Sequence, residues 1–284
     1  MRRFAFAVLL VAGCHSSSST GSSSSELTYW KSVKPIADAK CVGCHTPNNI
    51  APFPLESFAD FKAETDKVRV AVANKVMPPW PPGSGCADYQ NDRGLSDDEI
   101  ATITAWIDQG AKEGTQSDYK PGAPASGGLS RVDRTLSLAA PYTPTLAPDE
   151  YRCFVMDWPD ATDTYITGFR ANPGNAPIVH HVIAFLAQPS DVAAYQQLDD
   201  SDPAPGYVCF GGPGGPNGGQ NAHWLGAWAP GSRGDDFPTG TGIKVPAGSK
   251  VILQVHYNLT NNNGQPDQTS VDFKLDDSVQ KEAL

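Results

Sequence analysis

Residues 41–45 read Cys-Val-Gly-Cys-His, and this run constrains the fold and chemistry of the chain more than any other. Two thiols separated by two residues can reach the two vinyl groups along one edge of a porphyrin, and the adjacent imidazole then falls beneath the iron. Cys41, Cys44 and His45 therefore form a candidate attachment site for covalent haem c, with His45 as proximal ligand. A redox dithiol does not need the trailing histidine, and a structural zinc site needs a second ligand pair. No second Cys-x-x-Cys and no pair of histidines at zinc-finger spacing follows.

A chain of 284 residues has room for two domains, each with its own core. Charged residues make up 18% and hydrophobic ones 39%, the balance of globular material. The 27 glycines and 25 prolines favour turns and β structure over a helical bundle. The net charge is −10, and more negative once Arg2 and Arg3 are removed. Such a balance argues against nucleic acid and against an electrostatic hold on anionic lipid. It fits docking of a basic electron donor, and equally a solvated surface.

Arg2-Arg3 precede an apolar run, Phe4 to Ala12, that is too short to span a bilayer. The run ends Leu10-Val11-Ala12-Gly13-Cys14, which resembles the bacterial lipobox. That resemblance implies a lipoprotein signal peptide at 1–13, lipidation of Cys14, and a Ser-rich tether at 14–26. The expected location is a bacterial periplasm or cell surface, with membrane contact only through the lipid anchor. Export agrees with haem c, which is attached outside the cytoplasm. Of the six cysteines, Cys86, Cys153 and Cys209 remain for an oxidising compartment. Three is odd, and Cys153–Cys209 is the expected disulfide because both lie in the C-terminal half.

Residues 27–115 read as a helical domain. Ser96-Asp97-Asp98-Glu99 is a capping box, Ile100, Ile103, Trp106 and Ile107 recur at helical spacing, and Gly110 supplies the stop. A second helix is expected from about Leu55 to Ala73, with Phe58, Phe61, Val68 and Val72 apolar. Between them, Val76-Met77-Pro78-Pro79-Trp80-Pro81-Pro82 presents one methionine on a stiff loop. Met77 is the expected sixth ligand, since thioether ligation opposite histidine suits electron transfer. The segment resembles a small class I cytochrome c, which implies an all-α haem domain.

Residues 116–145 read as a Pro/Gly linker, and from about Thr135 short apolar runs alternate with Gly, Pro and Asp. Runs such as Tyr165–Phe169, Val179–Leu186 and Lys250–Tyr257 imply an antiparallel β-sandwich over 146–284. Three of six histidines fall on these runs: His180, His181 and His256. A buried imidazole needs partners for both nitrogens, and one metal ion satisfies several rings at once. Adjacent residues on a flat strand point to opposite faces, so joint binding by His180 and His181 requires a twist or bulge. Gln254 shares the face of His256. Three imidazoles without an obvious carboxylate suit copper or zinc. His223 reads as structural or supporting, and His15 as part of the tether.

The order Tyr151-Arg152-Cys153, Val179-His180-His181-Val182, Ala227-Trp228-Ala229-Pro230-Gly231 and Leu253-Gln254-Val255-His256-Tyr257 resembles the copper type II, ascorbate-dependent monooxygenases. The resemblance covers about 146–284 and implies a jelly-roll-like domain whose electron-transfer copper is bound by His180, His181 and His256. Family members carry a second copper domain with a His-x-His pair and a methionine, where oxygen and substrate bind. No such pattern follows His256. The expectation is an oxidoreductase module that passes electrons from haem to this copper, as a truncated or partner-dependent monooxygenase. Its partners would be a periplasmic electron donor or ascorbate-like reductant and a protein supplying the second copper domain. No residue is assigned a catalytic role. A different class stays open: a non-catalytic periplasmic electron-transfer cytochrome or copper-binding lipoprotein.

Overall fold

The computed structural model describes residues 26–80, 82, 87, 89, 92–122, 127–219, 222–260 and 265–283. The lipidation expected at Cys14, and Cys86, lie outside these residues. Three apolar clusters organise the rest, one built by helices and two on the strands. No helix among the described residues is long and apolar enough to cross a membrane.

The N-terminal segment holds a π-helical turn at Tyr29–Val33 and four helices: α1 (Lys34–Lys40), α2 (Phe58–Ala63), α3 (Thr65–Ala73) and α4 (Asp97–Asp108). α4 begins as its sequence predicts. The Glu99 amide donates to Ser96 Oγ at 3.2 Å and the Ser96 amide donates to the Glu99 carboxylate at 2.8 Å. Gly110, at φ 92°, lets the chain turn away. Ile103 and Trp106 are buried with Tyr29, Phe61, Val68 and Val72.

The single helix expected from Leu55 to Ala73 is instead two. A second capping box, Ser57 with Asp60, delays the start to Phe58. At Glu64 the ladder breaks because its amide bonds back only to Phe61, and the Thr65 hydroxyl draws off the Lys62 carbonyl at 3.2 Å.

The C-terminal segment is a two-layer sandwich. Its strands are β1 (Arg134–Ser137), β2 (Asp149–Asp157), β3 (Thr164–Asn172), β4 (Val179–Ala187), β5 (Tyr207–Val208), β6 (His223–Trp228), β7 (Asp235–Asp236), β8 (Thr241–Val245), β9 (Lys250–Asn258), β10 (Ser270–Asp276) and β11 (Lys281–Glu282). One sheet runs β1-β10-β3-β8-β11 with β7 on β3, and the other runs β5-β2-β9-β4-β6. All pairings are antiparallel except β8 with β11. The sandwich starts inside the expected linker: β1 pairs with β10, and Tyr142 is buried in the core beside Phe154 and Tyr257.

The five-stranded sheet is apolar on both faces, which explains why β4 and β9 are hydrophobic almost throughout. Val251, Leu253, Val255 and Tyr257 of β9 enter the sandwich core. Ile252 belongs to a second cluster with Phe185, Cys153 and Cys209, where α5 (Val192–Ser201) adds Tyr195. The Cys153–Cys209 disulfide lies in that cluster, with Cα atoms 5.8 Å apart.

Candidate metal centre

β4 and β9 bring the three histidines together through a defect in their ladder. Val179 pairs with Tyr257, yet His181 pairs with His256, so His180 is an extra residue on β4. The alternation changes phase there: Val179 and Val182 both enter the core. The bulge turns His180 toward the side that carries His181. Ligand nitrogens of His180, His181 and His256 all lie within 4.8 Å of one another. The Nδ1 atoms do the converging, at 3.5 Å between His180 and His181 and 3.2 Å between His181 and His256. His180 is exposed, His181 half-buried and His256 buried, so the cluster opens to solvent on one side.

The neighbours hold the buried ring in a ligand-ready state. His256 Nε2 donates to Asp149 Oδ1 at 2.8 Å, which leaves Nδ1 with a free lone pair facing the cluster. Asn258 donates to the same carboxylate oxygen at 2.8 Å. The hydrogen bond from His256, then that from Asn258, hold the Asp149 carboxyl below its ordinary range. Tyr151, directly across from His256 in the β2–β9 pairing, stacks on its ring with centroids 4.0 Å apart and planes 7° from parallel. Burial pushes His181 down to about 4, helped by the neighbouring His256 and His180, and burial lowers His256 as well. Neutral imidazoles are the form that binds metal.

Gln254 lies on the same face but turns away from the cluster. Its amide donates to the Cys209 carbonyl at 2.8 Å, tying the disulfide loop to the sheet. The donor set fits copper: three imidazole nitrogens with one side open.

In the helical segment, the Cys44 and His45 amides donate to the Cys41 carbonyl at 3.1 and 3.0 Å, so residues 41–45 close one helical turn. Cys41 and Cys44 carry free thiols. Burial, with Cys44 beside it, pushes Cys41 up to about 12, and burial raises Cys44 despite the nearby Arg93. Both therefore stay as S–H, the form that adds across a vinyl group. His45 Nδ1 donates to the Phe53 carbonyl at 2.9 Å, and its ring packs on Phe53 at 5.0 Å, leaving Nε2 for a ligand.

Met77 is 42% exposed beside Val76, and Val70 of α3 is exposed with them. An open hollow of about 520 Å³ runs along α3, lined by Lys67, Val70, Ala71 and Val76 among others. Lys67 also lies over the Phe53 ring at 5.1 Å, which connects this hollow to the side of His45. Cys41, Cys44, His45 and Met77 are not among the residues that line this hollow. The free thiols of Cys41 and Cys44 and the Nε2 of His45 are the groups a covalent haem c would need.

His223, read as structural or supporting, is not part of the three-histidine group. It stands on β6, paired with Leu186, at the far end of β4 from the cluster. Met156 is buried in the sandwich core. Asp149 and the stacking role of Tyr151 escape sequence reading. They lie more than a hundred residues from His256 in sequence, and only the β2–β9 register reveals them.

Comparison with known proteins bears on the strands. Residues 138–264 match the family described as copper type II ascorbate-dependent monooxygenase, N-terminal domain. The matched span contains Asp149, Tyr151, the three clustered histidines and the disulfide. It supports a copper oxidoreductase kind of chemistry for the sandwich. No curated protein matches the chain.

Proposed function

We propose that the chain is an exported oxidoreductase module in which a c-type haem feeds electrons to a copper held by His180, His181 and His256. The observation that carries the reading is the ladder defect at His180, which gathers three Nδ1 atoms while Asp149 holds the far nitrogen of His256. When bound, copper supplies a one-electron acceptor and haem c a one-electron relay to it. Cys41 and Cys44 would hold the haem covalently, and the His45 Nε2 and the Met77 thioether would be offered to its iron. Asp149 orients His256, Tyr151 keeps its ring in plane, and the exposed His180 leaves one side open to a reductant or partner.

The monooxygenase reading follows from the matched domain, with a periplasmic donor or ascorbate-like reductant and a second copper domain as partners. The lipid anchor at Cys14 belongs to the same proposal. Metal and haem stoichiometry on the purified protein tests the core of it, with one haem and one copper expected. In His256→Ala the Cu(II) resonance signal should vanish while the haem absorption bands stay. Loss of both together would sink the two-site reading.

A further inference from the structure

The loop that carries the Cys-x-x-Cys-His run touches the sandwich at one turn. After β6, residues Ala229-Pro230-Gly231-Ser232 fold back, with the Ser232 amide donating to the Ala229 carbonyl at 2.9 Å. The Trp228 indole donates to the Ser232 carbonyl, also at 2.9 Å, and braces the turn from inside. Gly231 adopts φ 83°. A Cβ there would lie 3.3 Å from Arg93 Nη1 and 3.5 Å from Cys44 Sγ, and one on Gly43 would lie 3.4 Å from Gly231 Cα. Two glycines thus allow a close approach between the segments. Arg93 fastens it by donating to the Pro230 carbonyl at 2.7 Å.

This contact lies at the copper end of the sheet. β6 leaves the ladder at Trp228, which pairs with Val182, the residue after His181. The connecting segment is fastened nearby: the Gly128 amide donates to the Gly234 carbonyl at 2.6 Å and Ser130 Oγ donates to Asp236 at 2.6 Å. Residues 128–130 of the expected Pro/Gly linker therefore lie along the same loop.

We propose that the 229–232 turn is the electron-entry seat of the copper domain, receiving the Cys44 edge of the haem-bearing loop with Arg93 as its positioning residue. The proposal rests on the haem–copper reading above. The route runs from Cys44 through the turn to Trp228, across the ladder to Val182, and into His181. One electron crosses: ferrous haem iron becomes ferric and Cu(II) becomes Cu(I), with no bond made or broken.

Arg93→Ala and Gly231→Asn in the full chain test it. Asparagine tolerates positive φ but sets a side chain between Arg93 and Cys44. Hydrogen exchange at 43–45 and 229–232 needs neither cofactor. In loaded protein, rapid-mixing spectroscopy follows haem oxidation by Cu(II), with haem bands and the copper signal as controls. Both variants should raise exchange at these amides and slow transfer, each by roughly tenfold, since a charged hydrogen bond or a close contact is lost. Unchanged exchange in both variants overturns the proposal, as does raised exchange with unchanged transfer. A wild-type chain without haem or copper spectra overturns the underlying reading instead, before any variant is compared.

Discussion

His256 uses both ring nitrogens, one toward Asp149 and one toward His181. That division of labour makes Asp149 the residue whose removal is most telling. Without its carboxylate the ring loses its fixed tautomer and can rotate, although no ligand atom has been deleted. Asp149→Ala should weaken Cu(II) affinity by roughly 10–100-fold in a competition titration against a chelator, leaving haem bands unchanged. Unaltered affinity would remove Asp149 from the site. The three histidines were legible in the sequence because polar rings on apolar strands demand an explanation. Asp149 was not legible, because an acidic residue at the start of a strand reads as ordinary surface until its cross-strand partner is known.

At the level of elements, β4 shows how a local irregularity makes a site. A regular strand would send His180 and His181 to opposite faces, and the extra residue puts both beside His256. The need for such a bulge follows from the sequence, but its position on β4 depends on how Val179 and Val182 pack into the core. Helix α4 is the opposite case, since capping box, apolar spacing and glycine stop agree and the element forms where they predict. Ser96→Ala should lower stability by about 1 kcal/mol in denaturant unfolding, through loss of the reciprocal cap. The split between α2 and α3 was hidden because the side-chain contacts that end α2 at Glu64 leave the apolar spacing unchanged.

Across the whole molecule, Asp236 ties the connecting segment to the sandwich. Burial works against its charge, but Lys274 and two donors from Ser130 outweigh it and bring its pKa to about 2. A folded pKa below the unfolded carboxylate value means the unfolded chain binds the proton more readily. The stability from this group is therefore fully present above about pH 4 and lost as pH falls toward about 2. Asp236→Asn should flatten the acid limb of stability in that window, measured as thermal midpoint against pH, and should raise hydrogen exchange at Ser130. An unchanged acid limb would show that the connection is held by other contacts.

The sequence alone determined the chemistry available to this protein: two thiols and an imidazole at haem spacing, and three imidazoles on apolar strands, matched over 138–264 by a copper monooxygenase domain. Such features are local, because spacing along a few residues decides which atoms can share one ligand. Tertiary structure alone decided which carboxylate holds His256, where the ladder slips, and which turn faces Cys44. Those depend on pairing between segments far apart in the chain, where register is set by how whole faces pack.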